Sequence, residues 1–159
     1  MALEDELVDE LARLSGVALL LCRDRALAED LAAEAIMRVL RRTRVADIER
    51  VRPYLRRTLV NLVIRDRRRK AAESVATARS WSKAVDVEPG DVATTRSELR
   101  RALDSLPLEQ RVVVVLRYFD DMTAAQVAKT LRIPVGTVES RASRAIATMR
   151  AVLRGGDEQ

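Results

Sequence analysis

The sequence has no histidine and only one cysteine, Cys22, among its 159 residues. The usual structural zinc sites and imidazole acid–base catalysis are therefore excluded. A single thiol cannot form an intramolecular disulfide, and the setting "LLLC" predicts a packed core residue. We find no acidic cluster with metal-ligand spacing and no nucleophile beside a base. No cofactor or metal is expected, and the chain is not predicted to be an enzyme.

Aromatic residues are scarce as well, at 3% of the chain, so the cores must be aliphatic. The 48% hydrophobic content is sufficient for that. The longest apolar run, "GVALLLC", is far too short to span a bilayer. The start "MALEDEL" is acidic, whereas a secretory signal begins with positive charge. These features predict a cytoplasmic protein with no membrane insertion.

Charge, in contrast, is abundant. Lys+Arg number 29 against 24 Asp+Glu, which gives a net charge of +5 and a pI of about 10.1. This balance favours a polyanionic partner. Most of the cations are arginines, whose planar fork holds phosphates and guanine edges. Many basic proteins bind no nucleic acid, so the charge alone does not identify the partner.

Apolar residues recur at spacings of three and four, as amphipathic helices require. The first helix is predicted from a stripe that comprises Leu3, Leu7, Leu11, Leu14, Ala18 and Leu21. Asp24 is the expected N-cap of a second helix, and Pro53 the expected first turn of a third. In the third helix Leu55, Leu59, Leu62 and Val63 should align on the face opposite the arginines.

Residues 71–95 lose this pattern. They are rich in Ala, Ser and Thr, and Pro89-Gly90 interrupts them, which indicates a flexible linker. Trp81 lies in this polar stretch, and its role is not assigned. The fold class predicted is all-α, with two small helical domains, residues 1–70 and 96–154, joined by the linker.

The second domain contains four consecutive valines in "PLEQRVVVVLRYFDD". Valine favours strands, but Leu108, Val112 or Val113, Leu116 and Phe119 keep helical spacing, so we predict a helix.

The stretch "MTAAQVAKTLRIPVGTVESRASRAIATMR" predicts a helix-turn-helix. Thr123 should cap a short helix, and Pro134 ends it because proline lacks an amide hydrogen and disfavours helix in the residue before it. A second helix should begin at Val135 or Gly136. Its inner face would carry Val138, Ala142, Ala145 and Met149, and its outer face Gly136, Ser140, Ser143 and Arg144. A helical hairpin with a solvated Arg/Ser face would show the same pattern.

Both halves together resemble a known family. "LRRALDSLPLEQRVVVVLRYFDDMTAAQVAKTLRIPVGTVESRASRAIATMRAVL" resembles domain 4 of bacterial sigma factors. "DRALAEDLAAEAIMRVLRR" followed by "RPYLRRTLVNLVIRDRRRK" resembles domain 2. Two domains without a domain 3 are similar to the extracytoplasmic-function class (group IV, sigma-70 family). The resemblance implies a protein that binds core RNA polymerase and promoter DNA and that has an anti-sigma factor as a further partner.

The resemblance also implies the roles of particular residues. Glu29, Asp30 and Glu34 would contact the polymerase, although an acidic helix face is more often simply solvated. The segment from Thr43 to Arg68 would recognise and open the −10 element, through Arg57, Asn61, Arg65 and Arg68. The last helix would read the −35 element, through Thr137, Ser140, Arg141 and Arg144. Glu139 stands in that helix where the family commonly has a basic residue.

One alternative function is a helix-turn-helix regulator that binds duplex operator DNA without polymerase. Such a protein gains affinity from two half-sites and so needs to dimerise. The sequence shows no heptad seam for a dimer, and we expect transcription initiation rather than operator binding.

Overall fold

The computed structural model describes residues 3–42, 48–76 and 93–157. Within these ranges the chain is almost entirely helical and contains no strand. It divides into two compact units, Met1–Val85 and Asp86–Gln159. The predicted all-α fold with two helical domains is therefore confirmed. Both ends of the predicted linker 71–95 are helical, and its residues 77–92, Trp81 among them, lie outside the described ranges.

Unit 1 is a bundle of three helices that all contact one another: α1 (Leu3–Cys22), α2 (Arg25–Arg42) and α3 (Ile48–Ala76). Asp24 caps α2 as predicted, because its Oδ1 accepts a hydrogen bond from the amide of Leu27 at 3.1 Å. The core is aliphatic, and its fully buried side chains include Leu14, Ala18, Leu21, Ala32, Ala35 and Leu59.

The stripe predicted on α1 is wrong at Leu11. That side chain is 37% exposed, and the neighbouring Glu10 is 1% exposed instead. At this level α1 faces Arg52 and Arg56 of α3. The Glu10 carboxylate accepts hydrogen bonds from Arg52 Nε at 2.9 Å and from the buried Arg56. A paired charge therefore takes the place of an apolar contact, which hydrophobic periodicity cannot indicate.

The start predicted for α3 is also wrong. The helix begins at Ile48, so Pro53 lies inside it rather than in its first turn. Proline provides no amide hydrogen for the carbonyl of Glu49, four residues earlier. Pro53 is exposed, so the helix can bend away from the ring, toward its buried side. The helix therefore continues through the proline.

Unit 2 contains α4 (Ala93–Asp104), α5 (Leu108–Val114), α6 (Ala124–Leu131) and α7 (Val135–Asp157), with a π-helical turn, Val115–Phe119, after α5. Helix α7 contacts each of the other three helices. Its buried residues Val138, Ala142 and Ala145 pack in a core that also includes Leu103, Leu106, Val113, Leu116 and Val127.

The four valines are helical, as predicted, and all are buried. The helical spacing fails only at Phe119, which is 42% exposed. The amide of Asp120 donates to the carbonyl of Val115, five residues back, at 3.0 Å. The π-helical turn thus inserts an extra residue into the turn. Residues after Leu116 are consequently rotated away from the core.

Arg111 joins α4 to α5. It is 4% exposed. Its Nε donates to the carbonyl of Leu103 at 3.0 Å, and its Nη2 donates to that of Leu106 at 2.9 Å. The last carbonyls of a helix have no partner within the helix. Arg111 therefore closes the C-terminal end of α4 with a charged donor.

Cys22 is half-buried at the end of α1, and its Sγ donates to the carbonyl of Asp24 at 3.6 Å. Burial raises the pKa of this thiol from its ordinary value of 9.0. The thiol therefore stays protonated at neutral pH. The prediction of a core residue is met only in part, because Cys22 lies at the edge of the core.

Candidate nucleic-acid interface

The helix-turn-helix of unit 2 is formed by α6, a short turn and α7. Thr123 caps α6 with a full capping box: its hydroxyl accepts from the amide of Gln126, and the Gln126 side chain accepts from the amide of Thr123. Arg132 ends α6 in the left-handed conformation, with φ 56° and ψ 46°. The carbonyl of Pro134 then accepts from the amides of Thr137 and Val138 and begins α7. The predicted break and restart are both confirmed.

Helix α7 presents the two faces predicted for it. Val138, Ala142 and Ala145 are buried, whereas Gly136, Ser140, Ser143 and Arg144 are exposed. A Cβ added at Gly136 would meet nothing within 4 Å, so the first turn of α7 faces open space. The outer face near the helix start is therefore accessible, and it carries small side chains, some of which can form hydrogen bonds. In DNA-binding helix-turn-helix proteins, this part of the second helix contacts base edges.

The four residues predicted to contact DNA on α7 differ in their environments. Arg144 is exposed and forms no ion pair with a described residue. The Ser140 hydroxyl donates to the carbonyl of Thr137 at 3.2 Å. Arg141 is 30% exposed, and its Nη2 lies 3.9 Å from a carboxylate oxygen of Glu109 on α5. Arg141 is therefore oriented toward α5, and Arg144 is the freer cation of the two.

Unit 1 has a basic groove between α2 and α3, with a volume of about 730 Å³. All four residues predicted for −10 recognition line it, namely Arg57, Asn61, Arg65 and Arg68. None of the described residues that line this groove is acidic. Neighbouring guanidinium groups with no carboxylate among them favour an anionic occupant.

Sequence reasoning did not assign the α2 side of the basic groove, which is lined by Arg38, Val39 and Arg42. Arg38 and Arg42 are one turn apart on α2, and this i, i+4 spacing was the available signal. Tyr54 also lines the groove and is 60% exposed. An exposed aromatic ring beside arginines provides a face on which an unpaired base can stack. The groove thus combines several guanidinium groups with an exposed aromatic ring.

The three acidic residues predicted for polymerase contact are exposed on α2. Glu34 forms an i, i+4 ion pair with Arg38 at 2.5 Å, whereas Glu29 and Asp30 form no ion pair with a described residue. Met37 and Leu40 on the same helix are 51% and 37% exposed. Helix α2 therefore carries both acidic and apolar groups on its outer surface.

Among the described residues no three potential metal ligands come together. Likewise, within the described ranges no helix is long and apolar enough to cross a membrane.

The fold thus combines two helical units, one with a helix-turn-helix and the other with an arginine-lined groove. Residues 7–73 match the family model described as sigma-70 region 2, and residues 96–149 match that of sigma-70 region 4. The chain is a member of the sigma-70 family of sigma factors, in the extracytoplasmic-function class.

Full-length relatives agree with this assignment. The chain is 33% identical to the RNA polymerase sigma-E factor of Streptomyces avermitilis, over 82% of this chain and 73% of that one. It is 32% identical to SigW, an extracytoplasmic-function sigma factor of Bacillus subtilis, over 80% of this chain and 75% of that one. It is 29% identical to EcfG of Rhodopseudomonas palustris, over 96% and 85% of the two chains.

The fold has a counterpart among solved structures. The sigma factor RpoE of Bartonella quintana, determined in complex with the anti-sigma factor NepR, matches with a TM-score of 0.81 and 21% identity. The match covers 95% of this chain and 96% of that one. At this identity the likeness concerns the fold.

Proposed function

We propose that this sigma factor binds core RNA polymerase in the cytoplasm and directs it to promoters by contacting two DNA elements, one with each unit. The observation that carries the proposal is that Arg57, Asn61, Arg65 and Arg68 share one basic groove in unit 1. In unit 2 the outer face of α7 near its start is exposed. The polymerase synthesises the RNA, and this chain recognises the promoter and opens its strands. An anti-sigma factor is a further expected partner.

Unit 2 would read the −35 element as a duplex. An α-helix fits the major groove of B-DNA, and arginine there makes bidentate bonds to guanine that are worth about 1–3 kcal/mol of discrimination. Arg144 is the leading candidate for this contact, because it is exposed and forms no ion pair with a described residue. Thr137, Ser140 and Arg141 would support it, with Arg141 leaving Glu109 as it does so.

Unit 1 would bind the −10 element after the strands separate. Unstacking a base costs about a few kcal/mol, which a pocket for the flipped base can offset. In the basic groove Tyr54 would stack on a base and Asn61 would hydrogen-bond to a base edge. The surrounding arginines would follow the phosphate backbone. Single-stranded DNA is held by this combination of stacking and positive charge.

Helix α2 would dock on the polymerase through Glu29, Asp30 and Glu34, with the exposed Met37 and Leu40 beside them. Glu34 already binds Arg38, so its carboxylate is partly neutralised. We therefore expect Glu29 and Asp30 to contribute more to this contact than Glu34.

The direct test is transcription in vitro. Core polymerase with this protein should produce run-off transcripts from specific start sites, and the protein should co-purify with the core enzyme. Sequencing those transcripts would reveal the promoter. Sequence-specific duplex binding without any polymerase association would instead favour the operator-binding regulator.

Arg144→Ala tests the role of α7. We expect about a tenfold or larger loss of affinity for −35 duplex DNA, since one guanine contact is removed, with polymerase association intact. Arg154→Ala is the matched control, because Arg154 is exposed near the far end of the same helix. Equal binding of wild type and Arg144→Ala to the duplex would contradict the assignment.

A further inference from the structure

Glu139 is the only acidic residue of α7 before Asp157 at its end. It is exposed and forms no ion pair with a described residue. It belongs to the second turn of the helix that the proposed function places in a DNA groove. A carboxylate on such a surface is repelled by phosphates, so its presence there needs a physical reason.

Helical neighbours do not neutralise this charge. The positions three and four residues away on α7 are Val135, Gly136, Ala142 and Ser143, and none of them is a cation. Glu34 on α2 differs, because it pairs with Arg38 four residues later at 2.5 Å. Glu139 is thus surrounded along its helix by small or apolar residues.

The helix dipole gives no sufficient reason either. Favourable interaction of an acidic residue with the dipole falls off within the first turn, and Glu139 is the fifth residue of α7, which begins at Val135. The first amides bonded within the helix, those of Thr137 and Val138, already donate to the carbonyl of Pro134. A purely stabilising role at the helix start is therefore weak.

The major groove offers a carboxylate one good partner. Cytosine presents its N4 amino group there as a donor, and Glu or Asp accepts from it. The adjacent side chains on the exposed face, Gly136 and Ser143, are small enough to let the helix approach the base edges. Arg144 provides a cation on the same helix to bind phosphate or guanine.

We propose that Glu139 is a specificity-determining residue that accepts a hydrogen bond from the N4 amino group of a cytosine in the −35 element. This inference rests on the proposed function. The carboxylate lowers affinity for every duplex through phosphate repulsion, and it recovers the loss only where a cytosine meets it. Selectivity is thereby gained by rejecting the other bases.

The experiment is selection from a fully randomised duplex library by the holoenzyme of core polymerase and this protein. Wild type should enrich sites with a cytosine at one −35 position, by about tenfold over other bases. Glu139→Gln should shift that position toward adenine, because glutamine pairs with adenine N6 and N7. Glu139→Ala should raise affinity for all duplexes and lose the cytosine preference.

Two further variants sharpen the test. Glu139→Asp keeps the charge but shortens the reach, so it should lose the preference and keep the weak non-specific binding. Glu98→Gln removes one negative charge from α4 of the same unit and should leave the preference unchanged. Because Glu139 is exposed, circular dichroism should show all Glu139 variants folded.

The two ways of failing are distinct. If wild type enriches a −35 motif and the Glu139 variants enrich the same motif at the same position, Glu139 is only a solvated charge and this inference is overturned. If wild-type holoenzyme enriches no −35 motif at all, the proposed function itself fails.

Discussion

Glu10 has an environment unlike that of most glutamates, which lie at protein surfaces. It is 1% exposed and accepts hydrogen bonds from Arg52 and from Arg56, which is 3% exposed. A buried ion pair can be nearly neutral relative to an apolar pair, whereas removing one member is strongly destabilising. Glu10 therefore holds α1 against α3, because a buried charge without its partner would be costly.

Glu10→Ala should lower the free energy of unfolding by about 3–5 kcal/mol, because it removes the carboxylate that the buried Arg56 guanidinium binds. Urea unfolding of the full chain measures the loss. Asp9→Ala is the control, since Asp9 is exposed on the same turn and should change stability by less than about 0.5 kcal/mol. Similar losses for the two variants would show that the buried pair is not the cause.

Arg132 carries a backbone strain of its own. Its φ of 56° lies in the left-handed region, which disfavours residues with a Cβ by about 1 kcal/mol. Arg132→Gly should therefore stabilise the protein by up to about 1 kcal/mol in chemical unfolding, and Arg132→Ala should not. If the alanine variant stabilised as much as glycine, the arginine side chain rather than the backbone would be responsible.

At the scale of elements, α4 and α5 depend on one side chain. Arg111 donates to the carbonyl of Leu103 in the last turn of α4 and to that of Leu106 just after the helix, from a position that is 4% exposed. Charged hydrogen bonds contribute about 1.5–3 kcal/mol each, and a buried acceptor without its donor is costly. The joint between the two helices should therefore be sensitive to this residue.

Arg111→Leu should destabilise unit 2 by about 2–4 kcal/mol. Amide hydrogen exchange would localise the effect: protection should fall in residues 93–157 and stay unchanged in residues 3–42. Arg101→Leu, at an exposed position of α4, should leave protection unchanged in both ranges. A uniform loss of protection across the two units would contradict the expectation.

At the scale of the whole molecule, the salt dependence of DNA binding should differ between the two units. Removing one arginine–phosphate interaction reduces the slope of log K against log salt by about 0.9 on duplex DNA and about 0.7 on a single strand. Arg144→Ala in holoenzyme should weaken binding to −35 duplex DNA and leave the slope nearly unchanged, because its proposed partner is a guanine edge and not a phosphate. Arg57→Ala should flatten the slope on single-stranded −10 DNA.

Titrations of both DNA forms over a range of salt concentrations measure these slopes. Arg13→Ala is the control, because Arg13 is exposed on α1 and does not line the basic groove. Its slopes should equal those of wild type on both DNA forms. If Arg57→Ala changed the slope only on duplex DNA, the assignment of single-stranded −10 DNA to unit 1 would be wrong.

The sequence by itself determined where several helices of this protein begin and end and which of their faces are apolar. Asp24 and Thr123 mark helix starts through hydrogen bonds to amides three residues away, and Pro134 marks the break before α7. The period of the apolar residues in α3 predicts that its arginines lie on the opposite face, so the α3 side of the groove lining could be predicted from sequence. The family's motifs then assigned roles that periodicity cannot.

Tertiary structure decided what depends on contacts between distant segments. The burial of Glu10 requires Arg52 and Arg56, more than forty residues away. The groove acquires Arg38 and Arg42 only because α2 packs against α3, and Arg141 meets Glu109 only because α7 packs against α5. The π-helical turn that exposes Phe119 is a local departure from the α-helix, and a spacing of about 3.6 residues per turn cannot predict it. Hydrogen bonds within a turn are encoded by neighbouring residues, whereas a side chain's partner across the fold is set by packing.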